Sequence, residues 1–127
     1  MNKKGLIDAT KAKNSCIQPN DEEWIKNFMG NITISEDCLV LNIWSPKEDN
    51  NTTKLKPVMF WIHGGGLVVG SIFQPSYNGS VLATHDVVFV SVNYRLGALG
   101  FLYGGEDSAP GNIGHYDQVL ALKWVCI

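Results

Sequence analysis

At 127 residues the chain has room for one domain at most. Hydrophobic residues make up 45% of it, charged residues a rather low 17%, and the formal charge of −2 excludes the basic footprint of a nucleic-acid or anionic-membrane binder. No stretch approaches the length of a transmembrane helix, and the Met1-Asn2-Lys3-Lys4 start has no apolar core behind it, so no signal peptide is visible. Three cysteines, Cys16, Cys38 and Cys126, leave at least one thiol outside any internal bridge, and His63, His85 and His115 fall in no metal-ligand spacing.

Residues 1–38 are polar and weakly patterned, a loop region with a helical turn around Trp24–Phe28. Residues 39–44 alternate, with Leu39, Leu41 and Ile43 facing one way and Val40, Asn42 and Trp44 the other, which predicts a strand ended by Pro46. A charged, Asn/Thr-rich connection leads to Val58-Met59-Phe60-Trp61-Ile62, five consecutive apolar residues that read as a fully buried strand. The run His63-Gly64-Gly65-Gly66 follows at once, and Asn78 to His85 suits a short helix. Residues 87–92 form a second β-branched strand, after which Gly97, Gly100, Gly104 and Gly105 break the chain into turns. The last segment carries Tyr116, Val119, Leu120, Trp124 and Ile127 at helical spacing, with Asn112 as N-cap and Asp117 in the first turn, where the helix dipole favours a carboxylate. Apolar strands separated by helical segments predict an α/β fold with a mainly parallel sheet and flanking helices.

The glycine run carries the chemistry. Without Cβ atoms, its backbone N–H groups can approach a ligand closely. Preorganised amides of this kind stabilise the oxyanion of acyl transfer, and loops of the HGGG type supply them in lipases and esterases. A tight connection after a strand explains the same glycines, so the run alone leaves both readings open. Three further segments join it in order: residues 35–43 (Ser-Glu-Asp-Cys-Leu-Val-Leu-Asn-Ile), residues 92–102 around Asn93-Tyr94-Arg95-Leu96-Gly97, and Ala109-Pro110-Gly111-Asn112-Ile113-Gly114 ending in Asp117-Gln118. Together the four resemble the type-B carboxylesterase family, α/β-hydrolases that include cholinesterases and the non-catalytic neuroligins. The resemblance covers residues 16–127, the N-terminal part only of the family's α/β-hydrolase domain, and leaves residues 1–15 unassigned.

The resemblance implies that Gly65 and Gly66 are oxyanion-hole donors, the third donor coming from the residue after the nucleophile. It makes His63 a structural brace of the loop. Cys16 and Cys38 resemble the pair closing the family's first disulfide loop, a bridge expected to contribute about 3 kcal/mol, while Cys126 stays an ordinary thiol. Arg95 and Asp117 resemble a structural ion pair of the family. Leu67 departs from the aromatic residue that commonly follows the glycines, and His115 interrupts a usually apolar position. Trp24 does not stand at the spacing of a choline-site tryptophan, Phe28 being nearer, so the resemblance does not extend to a choline site. Asn31, Asn50, Asn51 and Asn78 open Asn-x-Ser/Thr sequons and are glycosylation candidates, which favours a secreted or secretory-pathway protein whose amino terminus is incomplete.

The family's chemistry needs a serine in a Gly-x-Ser-x-Gly elbow, with an acid and a histidine base after it. Ser71 and Ser80 follow glycines but lack that context, and no other serine has it. The expected function is therefore hydrolysis of a small-molecule carboxylic ester by the full-length protein, without a cofactor, this chain carrying part of the oxyanion hole and being inactive alone. The alternative is a non-catalytic adhesion or interaction protein of the same fold. In the fold so implied, strand 58–62 lies between strand 87–92 and the nucleophile strand, so its outer edge is left open in this chain.

Overall fold

The structure, a computed structural model, describes residues 8–19, 23–47 and 55–126, without the side chains of residues 24, 25 and 28. Asn50, Asn51 and Ile127 and the side chains of Trp24 and Phe28 thus lie outside the described residues.

Three short strands form one sheet: β1 (Leu41–Trp44), β2 (Val58–Ile62) and β3 (Val88–Val92), in the order β1-β3-β2. The helices are α1 (Glu23–Met29), α2 (Ser80–Ala83), α3 (Gly97–Phe101) and α4 (Ile113–Val125). Strand β3 is central because its neighbours satisfy both of its edges. It runs antiparallel to β1, with Leu41 opposite Val92, and parallel to β2, with Ile62 opposite Val92. The sheet is therefore mixed, one pairing of each kind, rather than mainly parallel. Phe89, Val90, Ser91 and Val92 are buried on both faces of β3, as a β-branched, aromatic strand between two partners should be.

Strand β2 has the predicted ends but not the predicted burial. Val58, Met59, Trp61 and Ile62 are between 39% and 51% exposed, because β2 is an edge strand and little covers its faces. An apolar run reports what a strand would bury, not whether a partner is present to bury it. Among the described residues no strand pairs with the outer edge of β2.

Two glycine-containing segments differ from expectation. Residues 97–101 form a helical turn, not a break: Gly100 N–H donates to the Leu96 carbonyl at 3.1 Å and Leu102 N–H to that of Ala98 at 3.0 Å. Gly100 is there for close approach, since a Cβ would run into the Arg95 backbone. Asn112 does precede α4, but in the left-handed region at φ 57° and with no side-chain cap. Its carbonyl instead accepts from the His115 and Tyr116 N–H groups. Asp117 is the fifth residue of α4, past the first turn, and faces Arg95 rather than the helix end. The apolar side chains of α4 are largely uncovered, with Leu120 and Trp124 65% and 60% exposed. A cavity of about 440 Å³ opens between Leu39–Asn42, Phe73 and the Leu120, Ala121 and Trp124 side of α4, and no glycine-loop residue lines it.

Candidate functional site

Because β2 and β3 are parallel and in register, both deliver their carboxyl ends to the same end of the sheet, the usual place for a ligand crevice in α/β folds. Strand β1 runs the other way and therefore starts there. The topology thus gathers the glycine loop after β2, the Asn93–Leu96 segment after β3, and Cys38 before β1.

The Cys16–Cys38 bridge forms, with Cα atoms 4.9 Å apart, and packs with Tyr94, Leu96 and the partly buried Phe101 in a small core. Asn93 ties this end together. Its Oδ1 accepts from Ile72 N–H at 3.1 Å, and its Nδ2 donates to the carbonyls of Asn14 and Cys38, each at 3.2 Å. Satisfying a buried amide on three segments at once fixes their relative positions.

Tyr94 governs the entrance to the glycine loop. Its hydroxyl donates to the His63 carbonyl at 2.9 Å, and its ring stacks on the imidazole with centroids 4.5 Å apart. Burial pushes the phenol up from its ordinary pKa and holds the His63 imidazole below its own. His63 is buried, and its Nδ1–H donates to the Gly64 carbonyl at 3.0 Å. That assigns the acceptor role to Nε2, which is buried and has no partner among the described residues. A buried, neutral ring stacked this way braces the backbone.

The loop closes on itself. Val68 and Val69 N–H groups both donate to the Gly65 carbonyl at 3.1 Å, and Gly97 N–H donates to that of Leu67 at 2.8 Å. Gly65 has φ 127°, and a Cβ there would meet the Val69 carbonyl, so only glycine fits. Gly66 has φ 61° with open space where its Cβ would be. Among the described residues neither the Gly65 nor the Gly66 N–H donates to any protein acceptor. Two unspent amides therefore stand at the carboxyl end of β2. Leu67, also at positive φ, is 40% exposed beside them.

Arg95 and Asp117 meet as expected. Arg95 Nε donates to Asp117 Oδ2 at 2.8 Å and Nη2 to Oδ1 at 2.7 Å, a two-point fork, while the Arg95 backbone N–H adds a third bond to Oδ2 at 3.0 Å. The hydrogen bond from Asp117 raises the guanidinium pKa further above its already high value. The pair joins the segment after β3 to α4 and does not face the glycine loop's free amides. His115 meets Phe101 edge-on at 5.1 Å. Asn31 and Asn78 are both exposed.

Sequence reasoning missed Gln18, Asn93 and Tyr94, whose partners lie 31 to 79 residues away. No local pattern marks such bonds. Among the described residues no group of three His, Cys, Asp or Glu side chains could hold a metal ion, and no helix is long and apolar enough to cross a membrane.

Comparison with known proteins agrees with this arrangement. The carboxylesterase family model matches residues 2–126, taking in most of the first 15 residues as well. Acetylcholinesterase 4 of Caenorhabditis briggsae is 47% identical over 129 aligned residues, covering 96% of this chain and 20% of its own length. Carboxylesterase 3 of Homo sapiens is 46% identical over 127 residues, covering 95% and 22%, and the cholinesterase of Mus musculus 46% identical over 129 residues, covering 94% and 21%. The chain thus spans about a fifth of the length of the curated relatives it matches. It belongs to the carboxylesterase family.

Proposed function

We propose that this chain is the amino-terminal part of an α/β-hydrolase domain in a serine carboxylesterase, and that the longer protein cleaves small-molecule carboxylic esters through an acyl-enzyme. The observation that carries the reading is the pair of unspent amides at Gly65 and Gly66, held rigid at the carboxyl end of β2. Donors fixed in advance lose nothing to reorganisation when the carbonyl oxygen gains charge, and removing one such donor typically costs about 10²- to 10³-fold in kcat. The nucleophilic serine, its acid and its histidine base come from a segment outside this chain, and the residue after that serine supplies the third donor. His63 takes no proton in this scheme. It is buried against Tyr94 and braces the loop. The acyl-enzyme route itself calls for no cofactor. The 127-residue polypeptide alone forms no acyl-enzyme, having no serine in a Gly-x-Ser-x-Gly context. The buried disulfide and the exposed sequons at Asn31 and Asn78 support folding in the oxidising secretory pathway.

A fluorophosphonate probe tests this directly. The full-length protein should be labelled at one serine and should hydrolyse p-nitrophenyl butyrate, while the 127-residue chain should not be labelled. A folded full-length protein that neither labels nor hydrolyses any ester would overturn the reading and leave the non-catalytic relative in its place.

A further inference from the structure

We infer that Gln18 is a positioning residue for the oxyanion loop: it clamps Gly70, and through Gly70 and His63 it sets where the Gly65 and Gly66 amides point. The inference rests on reading that loop as an oxyanion site. Gln18 Nε2 donates to the Gly70 carbonyl at 2.9 Å, and Gly70 N–H donates back to Gln18 Oε1 at 2.8 Å. One side chain thus satisfies both backbone groups of one residue, as a strand partner would. The second Nε2 hydrogen goes to the Cys16 carbonyl at 3.0 Å, so both amide protons are used. Both Gln18 and Gly70 are buried, so without the clamp Gly70 would hold an unpaired N–H and carbonyl away from water.

Gly70 is where the clamp meets the loop. Its φ of 138° is open to glycine and strained for other residues, and a Cβ there would occupy the place of the His63 ring and the Gly64 carbonyl. The Gly70 backbone therefore presses against the imidazole that stacks on Tyr94 from its other side. Residues 64–69 span the interval between those two fixed points, closed internally by the bonds to the Gly65 carbonyl. The neighbouring residues repeat the tie, with the Ser15 and Ser71 hydroxyls 2.6 Å apart in the core and Ser15 bridged to Ile34. The disulfide anchors the far side of this arrangement, because the carbonyl that orients Gln18 belongs to Cys16. A buried glutamine with no wider role would need partners, but not both polar groups of the residue that seats the histidine.

The test is Gln18→Leu in the full-length protein, which keeps the volume and removes the clamp, with Gln18→Glu as a second variant of the same shape should the first fail to fold. Turnover of p-nitrophenyl butyrate is normalised to fluorophosphonate-titrated sites, so unfolded protein does not count. A misaimed oxyanion hole is felt in the transition state, so kcat per titrated site should fall about 10- to 100-fold while KM stays within about twofold. Affinity for a trifluoromethyl ketone should fall in the same proportion as kcat. Unchanged kcat per site, or a loss confined to the number of titrated sites, would overturn the inference. Should the wild-type protein show no esterase activity, the functional reading fails separately, and the clamp is then read by hydrogen exchange. Exchange across residues 63–70 rising at least about tenfold in the variant, with 88–92 unchanged, supports the clamp, and no rise overturns it.

Discussion

Asp117 accepts three hydrogen bonds from a single residue, yet the two partners are unequally exposed, the Asp117 side chain being 5% and that of Arg95 40% accessible. Removing either therefore has different consequences. Arg95→Ala leaves a buried carboxylate with only the backbone N–H, and should cost about 3 kcal/mol. Asp117→Asn keeps an acceptor and releases a guanidinium that can reach water, so about 1 to 2 kcal/mol is expected. Urea unfolding of the full-length protein measures both, and equal losses would contradict the asymmetry. His63 gives a pH dependence of definite sign. Burial holds its pKa in the fold below the unfolded value of about 6.5, so the unfolded chain binds more protons as the pH falls past that value. Its contribution is intact above pH ~6.5 and is lost as the pH drops from there towards the depressed pKa. The melting temperature should fall over that interval, and His63→Gln should flatten that part of the slope in a calorimetric pH series. The local signs of such residues were partly legible. The glycine run announced the loop, but Gln18, 52 residues from Gly70, carries no pattern that points to it.

Among the elements, β2 is the most exposed to misadventure. It is flat, apolar on both faces and unpaired on one edge among the described residues, the combination that invites strand addition. The isolated 127-residue chain should therefore sediment as a heterogeneous aggregate, and Met59→Lys, placing a charge on the strand, should raise its soluble fraction. A monodisperse wild-type monomer with a cooperative melting transition would contradict this. The strands themselves were readable: β2 coincides with its predicted span, and β3 starts one residue late. β1 is shorter because Leu39 and Val40 lead into the sheet from Cys38 rather than pairing as a full strand. The helix at Gly97–Phe101 was not readable, since its glycines look like breakers until the Arg95 backbone is seen beneath Gly100. Burial of β2 and α4 failed for a related reason: apolar periodicity marks a face that seeks cover without saying where the cover lies.

At the scale of the molecule, one end of the sheet carries the disulfide, the glycine loop and Arg95, because a central strand with one parallel and one antiparallel neighbour brings those segments together. The bridge therefore stabilises the fold and the site at once. Cys16→Ser with Cys38→Ser should lower the stability of the full-length protein by about 3 kcal/mol on the chain-entropy account, read as a shifted urea midpoint. A loss near zero would mean that the hydrogen bonds of Asn93 and Gln18 suffice to hold the loop segment 16–38 in place.

The space around each glycine also bears on descent. Gly65 and Gly70 have backbone or ring atoms where a side chain would go, so a lineage that abandoned the chemistry would still keep them to stay folded. Gly64 and Gly66 meet nothing, and Gly64 has no unusual φ to protect it. Drift after loss of catalysis should accordingly appear first at Gly64, then at Gly66, making those two positions, rather than the whole glycine run, the record of whether selection still acts on the oxyanion.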